Sequence, residues 1–338
     1  MHPLIRDPRT DDHAIGDAVR LLKAGRLVVF PTETVYGLGA LAFDQAAVAS
    51  VFAVKGRPQD NPLILHLASP DDLRLVARDV PQVARVLVDT FWPGPLTLVF
   101  RRRDEVPCGV TAGLDTVAVR VPDHPIALDL ITALGAPIAA PSANRSGRPS
   151  PTTAAHVAHD FGTSVPLILD GGFALIGLES TVVDVTAQIP RLLRPGGISL
   201  EELRAVIGDV EWRLENGAEA RSPGTRHSHY VPSCRVVLAS PREISETIAQ
   251  LLRDGTSIGV LCRSSLSDTG GLGFVRSIKG SMNEYGREIF SAFRDAEEHS
   301  VDVLVVETVS GQGIGLAIMD RLTRAAAGGR GSPPATQI

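Results

Sequence analysis

Two cations stand two positions apart in KGRPQDNPLILH, residues 55–66, after a helix-like stretch and before an apolar run. Lys55 and Arg57, with the amide of Asn61, make a candidate anion clamp; a solvated charge pair is the plain alternative. Lysine is scarce here: of 33 basic residues only Lys23, Lys55 and Lys279 are lysines. A phosphate site can favour a compact, mobile ammonium over a planar guanidinium, which gives Lys55 weight. A third cation, Arg120, lies in the apolar segment TVAVRVPDHP, residues 116–125. Arginine is seldom buried unpaired, so a ligand carboxylate or an internal Asp or Glu must neutralise it.

Four further segments are too polar for simple connectors. PTETVYGLGA (31–40) leaves a strand and turns through Gly37 and Gly39, with Thr32, Glu33, Thr34 and Tyr36 at its start. PSANRSGRPSPT (141–152), LESTVVDV (178–185) and RLLRPGGIS (191–199) add Ser142, Ser150, Ser180, Thr181 and Arg194. Each alone could be a surface loop. Together they describe a cleft with several cations, many hydroxyls and no activated nucleophile. Such a cleft can bind and align anions, which suffices for phosphoryl or nucleotidyl transfer.

Other chemistries are excluded or demoted. The chain has neither a G-x-x-x-x-G-K-[ST] loop nor a G-x-S-x-G elbow. His156 and His159 lack a third ligand nearby and read as a capping or solvated pair. Gly311, Gly313 and Gly315 follow a strand and precede a helix, but no second βαβ unit follows to hold a ribose. Tight helix–strand packing is the better reading of these glycines. A net charge of −5 does not suit a nucleic-acid coat protein. The three cysteines suggest neither a disulfide framework nor a zinc site, and they fit a cytoplasmic protein. The N-terminal residues do not read as a secretory signal, and no membrane span is expected.

Helical spacing marks residues 13–24, 44–54, 81–92, 124–134, 152–160 and 199–207. Short apolar strands begin RLVVFP, NPLILHL, PLTLVFRR, TVAVRV, APIAAP, PLILD and STVVDV. This interleaving predicts a mixed α/β sheet. Residues 209–233 read as a linker rich in Gly, Pro and Ser. A smaller block then alternates helices 242–253, 283–297 and 315–326 with strands SIGVLC, LGFVRSI and VDVLVVE, as in a small parallel α/β domain. The expected organisation is a first domain over 12–208, a linker over 209–233, a second domain over 234–328 and a disordered tail over 329–338.

PTETVYGLG, KGRPQDNPL, WPGPLT, VAVRVPDHP, APSANRSGRPSPT, LESTVVD and LLRPG, in this order, closely resemble the YrdC-like threonylcarbamoyl-AMP synthases. SPGTRHSHYVP and GIGLAIMDRLTRAA look like the long, two-domain form. The resemblance implies a twisted mixed sheet with a concave cleft, followed by a small Rossmann-like domain. It implies that L-threonine, bicarbonate or CO2, and ATP with Mg2+ are joined into threonylcarbamoyl-AMP and pyrophosphate. The product would pass to a threonylcarbamoyl-transferase complex acting on tRNA. By the same resemblance Thr34, His66, Arg120, Ala140 and Ser180 would surround threonine. Lys55, Arg57, Asn61, Thr116, Ser142, Ser150, Arg194 and Tyr230 would hold ATP, with Lys55 and Arg57 catalytic and no metal ligand supplied by the chain. Arg226, His227, His229 and Tyr230 would make the linker a lid. A carbamoyltransferase of related fold and a tRNA- or dsRNA-binding module are the rival readings.

Overall fold

A computed structural model describes residues 3–212, 230–266 and 269–328. Contacts divide the chain into two compact units, Met1–Ser146 with Ser150–Arg226, and Gly147–Pro149 with His227–Ile338.

The first unit is built on a ten-stranded mixed sheet. Its strands are β1 (Leu4–Arg6), β2 (Val28–Phe30), β3 (Gly37–Leu41), β4 (Ile64–His66), β5 (Leu96–Arg101), β6 (Thr116–Arg120), β7 (Ile138–Ala140), β8 (Leu167–Leu169), β9 (Thr181–Asp184) and β10 (Arg191–Arg194). They run in the order β1-β8-β2-β3-β7-β4-β6-β5-β9-β10. Pairs β1/β8, β2/β8, β4/β6 and β5/β9 are parallel and the others antiparallel. Strands β2, β4, β7 and β8 are three residues long and wholly buried. They therefore read in sequence as apolar runs without alternation.

Helices α1 (Ala14–Lys23), α2 (Gln45–Lys55), α3 (Gln82–Phe91), α4 (Cys108–Thr111), α5 (Pro125–Leu134), α6 (Ala154–Phe161) and α7 (Leu200–Ile207) complete this unit. Ala14, Ala18 and Leu22 of α1 and Ile126, Leu130 and Ile131 of α5 share one core with Val28, Phe30, Leu167 and Leu169. Each fully buried Leu or Ile there contributes about 1.5–3 kcal/mol. The α2 boundaries bear directly on the site. The Asp44 side chain accepts hydrogen bonds from the backbone N–H groups of Ala46 and Ala47, and Gly56 ends the helix at φ +63°. Lys55 is thereby the last helical residue.

The sequence reading placed a turn where β3 lies. Gly37 and Gly39 are strand residues paired with β2. A Cβ on Gly39 would come within 2.8 Å of Ile138 Cγ2 and 2.9 Å of Phe30 Cε1. Close packing, not turning, calls for glycine there. Strands β10 and β1 are not among the strands the sequence predicts. The β10 pairing continues into the expected linker, since Leu192 N donates to Glu211 O and Glu211 N to Pro190 O.

The second unit carries β11 (Arg235–Ala239), β12 (Ile258–Cys262), β13 (Phe274–Ser277) and β14 (Val303–Glu307), with α8 (Ile244–Arg253), α9 (Met282–Glu298) and α10 (Gly315–Gly328). Its sheet is parallel in the order β11-β14-β12-β13, and β11 is the strand the sequence reading lacked. Ile244 and Ile248 of α8 pack on Ile258, Val260, Val303 and Val305. Gly313 has φ +57°, and a Cβ on Gly315 would meet Ser310 O at 1.9 Å. The glycine run therefore serves a tight entry into α10. Among the described residues no helix is long and apolar enough to cross a membrane. Arg226, His227 and His229 of the expected lid, and the tail 329–338, lie outside the described residues.

Candidate functional site

The polar segments of the first unit are zipped together by backbone bonds. Tyr36 N donates to Pro151 O, Leu38 N to Pro141 O and Ala143 N to Tyr36 O, so the PTETVYG segment lies along the loop after β7. Within PTETVYG, Thr32 Oγ1 donates to Val35 O (2.6 Å) and lies 2.8 Å from Thr34 Oγ1. This local turn orients Glu33 and Thr34.

Arg120, at the end of β6, donates through Nη1 to Thr34 Oγ1 (2.8 Å) and through Nε to Gly94 O (3.1 Å). Its Nη2 pairs with the Glu33 carboxylate, and both side chains are buried. Of the two neutralising partners the sequence allowed, an internal carboxylate is present. His66 is the register partner of Arg120 on the neighbouring parallel strand. Its Nδ1 lies 3.2 Å from Ile64 O. Burial first, and the Arg120 charge second, push its pKa down to about 3, so the ring is neutral near pH 7. Ala140, at the end of β7, is buried and pairs with Ile64.

A second cluster joins β5, β9 and β10. Thr97 Oγ1 and Ser180 Oγ are 2.7 Å apart. Arg194 Nη2 donates to Ser180 O (2.8 Å) and Ser180 Oγ (3.1 Å), and Nε donates to Ser180 O (3.2 Å). Gly196 lets this happen: a Cβ there would lie 2.3 Å from Thr181 N and 2.4 Å from Glu179 O. Ser150 Oγ donates to the buried Glu179 carboxylate (2.5 Å).

The third cluster surrounds the end of α2. Lys55 Nζ donates to the backbone oxygens of Ser142 and Asn144 and reaches Asn144 Oδ1 at 3.5 Å. Ser142 Oγ in turn donates to Asn144 Oδ1 (2.6 Å). Burial first, then Arg57, push the Lys55 pKa well below its ordinary value, while Asp160 pulls it up. Three oxygens stand about Nζ. Arg57 donates to Asn61 O (2.9 Å), Asn61 Oδ1 (2.7 Å) and Pro62 O (2.8 Å).

These contacts bring together Thr34 with Arg120, Ser180 with Arg194, Lys55 with Ser142, and Arg57 with Asn61. Thr116 starts β6 and Arg120 ends it, about 13 Å away at strand rise, so Thr116 stands apart from the Arg120 cluster. Tyr230 belongs to the second unit, where its ring stacks on Phe290 (5.2 Å between centroids) and Arg321 lies 5.3 Å from its centre. Sequence reasoning assigned no role to Glu33, Asn144 or Glu179. Their polar segments were visible, but their partners lie far along the chain.

Comparison with known proteins identifies the family. A Sua5/YciO/YrdC family profile, described as telomere recombination, matches residues 20–196. A second profile, described as the threonylcarbamoyl-AMP synthase C-terminal domain, matches residues 198–327. The threonylcarbamoyl-AMP synthase of Pyrococcus abyssi is 45% identical over 94% of this chain and 95% of its own. The chain belongs to the threonylcarbamoyl-AMP synthase family. The Bacillus subtilis synthase is 42% identical over 94% of each chain. A crystal structure of P. abyssi Sua5 complexed with L-threonine superposes with a TM-score of 0.89 at 44% identity, covering 97% of this chain and 98% of that one. The structure of Escherichia coli YciO covers 58% of this chain and 95% of its own, at 26% identity and a TM-score of 0.52. The two profiles together span residues 20–196 and 198–327 of the chain.

Proposed function

We propose that this chain condenses L-threonine, bicarbonate and ATP into threonylcarbamoyl-AMP, with release of pyrophosphate. The observation that carries the reading is the Thr34–Arg120 contact inside a first unit whose relative crystallises with L-threonine. Arg120 takes the amino-acid carboxylate. Thr34, neutral His66, Ser180 and the backbone of Ala140 line the same half of the site. The threonine amine joins bicarbonate to form a carbamate, whose oxygen attacks the α-phosphate of ATP.

The mixed anhydride needs no covalent enzyme intermediate, only alignment and charge stabilisation. Lys55 and Arg57 carry that charge stabilisation. Arg194, Asn61, Thr116, Ser142 and Ser150 hold the nucleotide with them. Among the described residues no group of three or more His, Cys, Asp or Glu is placed to hold a metal ion. Magnesium enters this reading on the phosphates, as part of the MgATP substrate. The labile product passes, in the cytoplasm, to a transferase complex that modifies tRNA. The test is pyrophosphate release by the purified protein. It should require threonine and bicarbonate together; equal turnover without threonine would sink the reading.

A further inference from the structure

Outside the residues assigned above, one buried charged group at the site has an idle atom. Glu33 is only 3% exposed. Its Oε2 forms an ion pair with Arg120 Nη2, but neither carboxylate oxygen has a hydrogen-bond partner among the described residues, and Oε1 has no ion-pair partner either. A buried carboxylate oxygen left bare is costly, and native proteins fill such positions. The backbone cannot swing it away: Ile176 N donates to Glu33 O, and the Thr32 turn follows immediately. Two other polar groups face this carboxylate. Arg120 is one. His124, at the start of α5, is the other; its Nδ1 is buried and unpartnered among the described residues, and burial holds its imidazole below the ordinary range while Glu33 pulls it up.

Arg120 and Glu33 together present a cation and an anion side by side, next to the Thr34 hydroxyl. An α-amino acid carries the complementary pair, a carboxylate and an ammonium separated by one carbon. We propose that Glu33 Oε1 binds the α-ammonium of the substrate amino acid and takes one of its protons, so that the amine can attack bicarbonate. The inference rests on the proposed function. The step balances as follows. The ammonium gives a proton to Glu33, and the freed amine lone pair forms the N–C bond to the bicarbonate carbon. The C–OH bond breaks, and the hydroxyl leaves as water with a second amine proton. The carbamate keeps one N–H and its negative charge.

A carboxylate that only neutralised Arg120 would make a different demand. Its removal would free Arg120 and leave any carboxylate ligand bound as well or better. The experiment therefore compares L-threonine with 3-hydroxybutyrate, the same skeleton without the amine, by calorimetric titration of the full chain and its E33Q variant. Wild type should prefer threonine. E33Q should lose at least tenfold in threonine affinity, while 3-hydroxybutyrate binds unchanged or more tightly. Threonine-dependent turnover by E33Q should climb with pH, about tenfold per unit as free amine accumulates, where wild type is flatter.

Equal effects on both ligands, or an E33Q profile parallel to wild type, would overturn the proposal and leave threonine as the substrate. Failure of wild type to bind threonine would overturn both readings. Should E33Q not fold, Glu33→Asp keeps the charge beside Arg120 and withdraws the carboxylate by one methylene. Wild-type ligand preference together with wild-type turnover in E33D refutes the role of Oε1.

Discussion

His66 offers a test in which the magnitude follows from the structure. The ring sits in the sheet beside Arg120, and its pKa is pushed down to about 3 from 6.5. A histidine depressed in the folded state is protonated first in the unfolded chain. Its contribution to stability is therefore intact above about pH 6.5 and is lost as pH falls from there towards 3. Between pH 7.5 and 4.5 the unfolded state gains nearly a full proton that the folded state refuses, about 2.6 kcal/mol for this one group. The limit over the whole window is roughly 5 kcal/mol. Other groups titrate in the same range, so the measurement is a difference. Urea unfolding of wild type and His66→Gln at both pH values, with m unchanged, should show that the variant loses about 2.6 kcal/mol less on acidification. Because Arg120 is the second cause of the shift, the ring resonances of His66 in Arg120→Met should titrate higher than in wild type. Parallel acid sensitivity of wild type and His66→Gln would refute the claim that this ring is held neutral.

Lys55 gives a prediction at the nucleotide end. Burial and Arg57 both oppose the Lys55 charge, so phosphates beside it should be bound in part through that ammonium, and Lys55→Met should weaken MgATP binding in a calorimetric titration. Lys55→Arg should restore turnover poorly, because the three oxygens about Nζ suit an ammonium. At the amino-acid end, Arg120→Ala strands the Glu33 charge, so it should lower stability by about 3–5 kcal/mol as well as remove threonine binding. The double variant Arg120→Met with Glu33→Gln should recover most of the stability in a melting experiment and none of the threonine binding.

Much of the frame was legible because its signals are local. Helices α1, α2 and α5 announce themselves by apolar spacing. Strand β3 was not legible, because Gly37 and Gly39 look like a turn in one dimension. Their reason is Phe30 and Ile138, one across the hairpin and one about a hundred positions on. Arg120 was legible as a problem, a cation in an apolar strand, but not in its solution. Glu33 sits in a segment of hydroxyls whose polarity suggested binding in general, and only folding puts its carboxylate against β6. Lys55 stood out by scarcity, whereas Asn144, which shapes its cradle, had no compositional signal. Gly196 likewise gave no hint that the RPGG turn presses on the backbone of Ser180.

The Lys55 and Arg120 clusters differ in how their cations are held, and the difference matches the ligands proposed for them. Lys55 is gripped by two backbone oxygens and an amide oxygen. Such dipoles fix the ammonium in place without cancelling its charge. Arg57 stands near enough to oppose that charge, so this half repels further cations and is ready for a polyanion such as a triphosphate. At Arg120 the partner is a full carboxylate, and the adjacent imidazole is neutral, so the local charge sums to nothing. A simple anion would gain little from such a pair, since Arg120 must first be taken from Glu33. A zwitterion loses nothing by that exchange, because its ammonium answers Glu33 as its carboxylate answers Arg120. On the proposed assignment, the electrostatics of the two clusters would sort a phosphate-bearing substrate from an amino acid before any side-chain contact discriminates further.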